Sequence, residues 1–130
     1  MKTEIKDLWV GALRSGNYGQ YKGFLRDKDT EDSFCCLGVL CDLYTKETGE
    51  GRWDQGLFIA GQFGGSSPTV LPRAVREWAG ILLSDPEAPI AVKTKDSGNL
   101  KLKVELSFLN DSDLTFSQIA DVIEAFHDGL

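Results

Sequence analysis

The chain has 130 residues, 42% hydrophobic, 26% charged and 10% aromatic, which is enough to build one buried core and excludes long disorder or a fibrous repeat. A net charge of -6 and a pI near 4.7 exclude a binder that neutralises many phosphates along a nucleic-acid duplex, while leaving room for a local basic pocket. A single domain over residues 1–130 is expected.

The opening MKTEIKDLWVGAL breaks every apolar run with a charge, so neither a signal-peptide core nor a membrane span is expected, and the chain reads as cytoplasmic with no membrane partner. Ile5, Leu8, Trp9, Ala12 and Leu13 recur at the spacing of one helix face, with Thr3 as N-cap and Gly16 as the stop. Residues 17–20 read as a loop, residues 21–26 (YKGFLR) as a short strand, and residues 27–32 as a charged turn. The segment FCCLGVLCDLY, residues 34–44, is apolar around nearly its whole circumference. A helix of that kind must be buried on several sides, so a helix over 34–48 is placed at the centre of the core, capped by Ser33 or Asp32 and ended by Gly49. Gly38 inside it costs about 1 kcal/mol relative to alanine, so its presence points to the close approach of another backbone.

Residues 51–67 hold Trp53, Phe58 and Phe63 among many glycines and read as a loop-rich stretch. Leu71, Val75, Trp78, Ala79 and Leu82 mark a further helix, with Pro72 in its first turn. Ile90, Val92 and Thr94, then Leu102, Val104, Leu106 and Phe108, alternate with polar residues and predict a β-hairpin over about 89–108, turning at residues 96–99. Keeping both apolar sets on one face demands an odd-numbered loop, with Val92 opposite Val104 and Lys93 opposite Lys103. Phe116, Ile119, Ala120, Ile123 and Phe126 form a last helical stripe behind a Thr115–Gln118 capping box. The expected fold is thus α+β, with about four helices around the central one at 34–48, a hairpin, and the short strand at 21–26.

Six segments together carry a likeness to known proteins: WVGALRSGNYGQ near the start, GFLR of residues 23–26, FCCLGVLCDLY, LPRAVREWAGI of residues 71–81, FLND of residues 108–111, and the closing FSQIADVIEAF. In these the chain resembles a family of small proteins of tailed phages and bacterial prophages. That family has no assigned catalytic residues, substrate or cofactor, so the resemblance implies a setting, the cytoplasm of a host cell, and not a mechanism. The segment before the final helix is longer here than in that family, and the lysine-bearing hairpin fills it.

Cys35, Cys36 and Cys41 lie on one apolar segment, where two adjacent cysteines point in different directions, so they are read as reduced core thiols; with His127 near the chain end they do not form a metal-site spacing. No nucleophile elbow, P-loop or dinucleotide fingerprint is present, so the chain is read as a non-enzymatic binder with no cofactor. Asp42, embedded in the apolar helix, needs a partner, with Arg26 and Arg14 as candidates. Asp42, Asp54 and Asp111 are the carboxylates on which an alternative reading, a metal-dependent hydrolase, would rest.

Lys93, Lys95, Lys101 and Lys103 fall on one face of the expected hairpin. Solvent and Glu105 suffice to offset their repulsion if they only protect a strand edge. The functional alternative joins them with Arg73, Arg76 and Arg26 and the rings of Trp53 and Tyr18, to grip a small anionic, nucleotide-like ligand by charge and stacking. The leading expectation is therefore a phage accessory protein that sequesters a phosphate-bearing signal nucleotide in counter-defence. The other partner considered is a host protein whose basic surface this acidic chain would occlude. Self-association into a dimer or ring would favour ligand capture at subunit boundaries.

Overall fold

A computed structural model describes residues 1–95 and 98–130; within that range the side chains of Val92, Lys93, Thr94 and Asn99 are outside the description. The fold is α+β: helices α1 (Thr3–Arg14), α2 (Cys36–Thr48), α3 (Arg73–Ala79), α4 (Leu106–Asp111) and α5 (Phe116–Phe126), with a closing 3-10 turn at His127–Gly129. Three small sheets join them: a parallel pair β1 (Gly19–Gln20) and β2 (Ser33–Phe34); an antiparallel triplet β3 (Arg52–Asp54), β4 (Leu57–Ile59) and β5 (Ser66–Ser67); and a hairpin of β6 (Glu87–Thr94) and β7 (Gly98–Glu105).

The central helix is where the apolar circumference of residues 34–44 places it: Cys36, Leu37, Val39, Leu40 and Cys41 are each 0% exposed. Helix α1 packs against both α2 and α5, and α3 and α4 also meet α2. Trp9 of α1 donates its indole N–H to the Cys36 carbonyl at 2.9 Å, so the largest side chain of the core is polar-satisfied as well as buried. Trp78 remains partly exposed and meets α2 edge-on through Tyr44, ring centroids 5.5 Å apart.

Gly38 answers to a close backbone approach. A Cβ built on it would lie 1.8 Å from the Leu25 carbonyl oxygen, the same oxygen that accepts a 3.1 Å hydrogen bond from the Cys35 N–H. The cap of α2 is Cys35, whose sulfur accepts from the Gly38 N–H; Ser33 and Asp32 are not used, because residues 33–34 extend as β2. Gly49 ends the helix in the left-handed conformation. Helix α5 has the full Thr115–Gln118 capping box.

The expected strand at 21–26 does not form. Its backbone groups bond to three separate partners, Tyr21 N–H to Phe34, Leu25 N–H to Pro68, and the Leu25 carbonyl to Cys35, so no ladder runs along it; only Arg26 bridges Phe34. The hairpin keeps the expected parity but shifts its register: Val92 pairs with Leu100, Ile90 with Leu102, Ala88 with Val104 and Lys93 with Asn99. The expected turn at Asp96 and Ser97 lies outside the described residues. Leu106 to Phe108, expected as strand, instead open α4. There the Leu106 N–H bonds to Pro86, and Asp85 accepts the Ser107 N–H at 3.3 Å, which turns the chain out of the ladder. The stretch read as loop-rich holds β3, β4 and β5.

Candidate functional site

The sheet β3–β4 turns through Gln55 and Gly56, both at positive φ (55° and 82°), the two-residue geometry that matches strand twist. A Cβ on Gly56 would sit 3.0 Å from the Arg26 carbonyl, so this turn lies directly on the segment Arg26–Lys28. Between them opens a cleft of about 220 Å³, walled by Tyr21, Phe24, Arg26, Lys28, Gln55, Gly56, Leu57 and Pro68.

Arg26 is held rather than free. Its Nε and a terminal nitrogen donate to the Glu31 carbonyl, Nε at 2.7 Å, and its guanidinium carbon lies 5.2 Å from the Phe34 ring centroid and 5.3 Å from that of Trp53. Glu31 reaches it from φ 63°, a conformation costly for a residue with a side chain and one that keeps the carbonyl turned toward the arginine. The nearest carboxylate, on Glu31, is 4.0 Å away, so the positive charge is only weakly neutralised. Lys28 is exposed beside it and forms no ion pair among the described residues, and Phe24 stands 52% exposed at the cleft wall.

Phe24 also lines a second cleft, of about 210 Å³, together with Gly23, Cys35, Thr69, Val70, Asp85, Ser107 and Asp111. Here there is no cation. The Ser107 hydroxyl donates to Asp85 Oδ2, while Asp111 Oδ1 accepts from the Gly23 N–H at 2.9 Å and from Asn110 Nδ2 at 3.3 Å. Asn110 is fully buried and joins the parts: its Oδ1 accepts from the Cys36 N–H (3.2 Å) and Gln20 (3.0 Å), and its Nδ2 donates to the Tyr21 carbonyl at 2.7 Å. The segments GFLR, FCCLGVLCD and FLND therefore meet at this point.

Burial pushes the Cys35 thiol up to about 12 and the Cys36 and Cys41 thiols well above their ordinary range, so all three stay protonated and poor nucleophiles at neutral pH. Half-burial likewise raises Asp85, only partly opposed by the hydrogen bonds from Ser107. A carboxyl whose folded pKa lies above its unfolded one binds more protons when folded. Its contribution is thus full below the ordinary carboxylate range and is lost as pH rises through the folded pKa. Asp85→Asn, which keeps an acceptor for the Ser107 N–H, is expected to remove that acid-side gain and leave stability flatter between pH 4 and 7, as urea midpoints taken across that range would show; an unchanged slope would mean that Asp85 is ordinary.

Of the residues singled out in the sequence, Tyr18, Trp53 and Arg26 come together, with Phe34 between them (Tyr18–Phe34 centroids 5.2 Å, Phe34–Trp53 5.7 Å). The polar groups of Tyr18 and Trp53 face Asp42, which accepts from the Tyr18 hydroxyl at 2.7 Å and the Trp53 indole at 3.3 Å and pairs with Lys46 at 3.1 Å. The expected arginine partner for Asp42 is thereby corrected. Lys46, one helical turn on, is within reach, Arg14 is taken by Asp121 at 2.7 Å, and Arg26 is turned to Glu31. Asp54 lies exposed by Arg52, 3.9 Å away.

Arg73 and Arg76 serve α3, donating to the Phe63 carbonyl and, at 2.9 Å, to the Leu82 carbonyl. Lys95, Lys101 and Lys103 are exposed on the hairpin, and none of them lines the cleft at Arg26. Lys101 faces Ala91 and Lys103 faces Pro89 across the ladder, so the expected lysine-on-lysine pairing does not arise. The side chain of Lys93 lies outside the described residues. Lys103 borders a hollow whose other walls are Leu82, Leu83, Pro86, Glu87, Gly129 and Leu130, with no second cation. The sequence reading missed Tyr21, Phe24, Lys28, Asp85 and Asn110. Phe24 lay within GFLR, but nothing in the spacing of Asp85 or Lys28 tied them to it.

Fold and clefts together define a small α+β domain with a basic aromatic cleft beside an acidic one. The chain belongs to the family described as a domain of unknown function (DUF8296), which matches residues 1–127. No curated protein and no solved structure matches it. Among the described residues no helix is long and apolar enough to cross a membrane, and no group of three or more His, Cys, Asp or Glu side chains is placed to hold a metal ion.

Proposed function

We propose that this protein acts by binding, without catalysis, and that it takes a small phosphate-bearing ligand of the nucleotide class in the cleft at Arg26 and Lys28. The observation that carries the reading is the pre-set guanidinium of Arg26, fixed by two rings and a carbonyl, beside an unpaired lysine and the rings of Tyr21 and Phe24. Cations that are already oriented lose little freedom on binding phosphate, and an exposed ring offers a base a stacking surface. The likeness to phage and prophage proteins supplies the setting: a protein of the host cytoplasm that sequesters a signal nucleotide in counter-defence. The lysine face of the hairpin is not needed for this, since Lys95, Lys101 and Lys103 do not line that cleft.

The test is calorimetric titration of the purified protein with AMP, cyclic AMP, a cyclic dinucleotide and ADP-ribose, together with a search for excess absorbance near 260 nm in freshly purified protein. Binding is expected to weaken about tenfold in Lys28→Ala, a loss of roughly 1.4 kcal/mol, with an unchanged urea midpoint because Lys28 supports nothing else in the fold. A well-folded sample that binds none of these nucleotides would overturn the reading.

A second reading is favoured by the charge distribution. Outside the hairpin segment 88–104, which holds four lysines and one aspartate, the chain carries ten basic and nineteen acidic residues. Such a body suits occlusion of a basic surface on a host protein. Affinity capture separates the two: occlusion gives a stoichiometric host protein released by salt, and nucleotide capture gives none.

A further inference from the structure

The two clefts share Phe24 as a wall and are opposite in character. On one side stand Arg26 and Lys28; on the other stand Asp85 and Asp111 with the Ser107 hydroxyl and no basic residue. Each cleft alone is smaller than the roughly 300–1,000 Å³ that a small-molecule site usually occupies, and the two together reach that range. Neither the acidic nor the basic side is an isolated surface cluster: both are walls of concave space, meeting at one exposed ring.

The hydrogen-bond inventory of the acidic side is one-sided. An ionised carboxylate offers about four lone-pair positions and no donor. Asp111 fills only Oδ1, from Gly23 and Asn110, and its Oδ2 takes no hydrogen bond among the described residues. Asp85 accepts twice, both times from Ser107, one bond to each oxygen. The Ser107 hydroxyl spends its hydrogen on Asp85. Apart from the Thr69 hydroxyl and the weak Cys35 thiol, the side chains of this wall offer acceptors and no free donor, so its two carboxylates repel a phosphate and attract a group rich in O–H.

We infer that the acidic cleft is the sugar-reading half of the same site: with the phosphate at Arg26 and Lys28 and the ligand lying across Phe24, the ribose 2′- and 3′-hydroxyls donate to Asp85 and Asp111. This rests on the nucleotide reading above and narrows it to ribonucleotides with a free cis-diol. The opposed charges also fix the direction of binding, because reversing the ligand would set phosphate against two carboxylates. Asp111 supplies the free acceptor, and Asp85, turned by Ser107, the second one.

The experiment compares AMP with 2′,3′-dideoxy-AMP on the wild-type protein and on Asp111→Asn, by calorimetry, with Lys28→Ala as the phosphate-side control. Asparagine retains an oxygen for the Gly23 N–H, and a thermal midpoint on each variant checks that the fold is kept. In the wild type, AMP is expected to bind at least tenfold more tightly than the dideoxy compound. In Asp111→Asn that ratio should fall toward one, while in Lys28→Ala both ligands weaken and the ratio stays. Equal wild-type affinities, or a ratio that Asp111→Asn leaves intact, would overturn the sugar-reading role while the phosphate cleft stands. Absence of AMP binding in folded wild-type protein would overturn both.

Discussion

Gly38→Ala is expected to be strongly destabilising, costing about 3 kcal/mol or more, at the upper end of what overpacking a core does. The reason is local and rigid. The new methyl would sit 1.8 Å from the Leu25 carbonyl oxygen, and the next atoms in its path, the Leu25 carbonyl carbon at 2.7 Å and Cα at 3.2 Å, are also backbone. No side chain can swing aside. Leu25 is itself fully buried and tied at both ends, its N–H to Pro68 at 2.8 Å and its carbonyl to Cys35, so relief means moving α2 off the segment that carries Phe24 and Arg26. A domain with about 5–15 kcal/mol in hand feels such a loss as a large drop in urea midpoint. Gly11→Ala is the control: a Cβ there meets nothing within 4 Å, and alanine is the better helix former, so the midpoint should hold or rise. Equal midpoints for Gly38→Ala and the wild type would mean that the α2–Leu25 contact is looser than described.

Asn110→Leu is expected to cost about 2 to 5 kcal/mol, because a buried and a part-buried backbone group lose their partner among the described residues at once. The Cys36 N–H is in the first turn of α2, where no helical carbonyl can serve it, and the Tyr21 carbonyl receives nothing else among the described residues. Each unsatisfied group costs about 1–3 kcal/mol, and a side chain of similar volume that fills the space does not repair it. Gln20 retains its 2.7 Å bond to the Leu114 carbonyl and contributes little to the loss. Denaturant unfolding with an unchanged m-value checks the figure; a cost below 1 kcal/mol would imply that the two groups find new partners.

These two residues mark what a sequence does and does not disclose. Gly38 was legible because a glycine inside an otherwise strong apolar helix is a local contradiction that only a close neighbour resolves; which neighbour was not legible, since nothing in YKGFLR shows that its backbone bonds go to Phe34, Pro68 and Cys35 instead of to a strand. Asn110 gave no signal beyond its place in FLND, for its four bonds reach residues 20, 21, 36 and 111, and such convergence has no period. Helices α1, α2 and α5 were readable from their apolar spacing, α2 also from its Gly49 stop and α5 from its capping box, whereas the N-caps expected at Thr3 and at Ser33 or Asp32 fall instead to Lys2 and Cys35. The hairpin was readable in parity but not in register, because alternation fixes which face a residue takes and not which residue it opposes.

The candidate site was legible in kind more than in place. Arg26, Trp53 and Tyr18 do gather, yet Asp42 and Lys46 absorb the polar groups of the last two, and only Arg26 reaches the cleft. The lysines of the hairpin drew attention because alternation in the sequence sets four of them on one expected strand face, whereas the single exposed Lys28 acquires its meaning from Arg26, Phe24 and the Gln55–Gly56 turn, which the chain brings to it from three directions.

Backbone amide shifts recorded by ¹⁵N-resolved NMR during a titration with AMP separate the two places directly. Binding at the proposed cleft moves the amides of Tyr21, Phe24, Arg26, Lys28, Gln55 and Gly56, together with Ser107 and Asp111, and leaves Lys101 and Lys103 still. Shifts concentrated on the hairpin instead, or no shift anywhere at millimolar AMP, would contradict the assignment of ligand binding to the Arg26–Lys28 cleft.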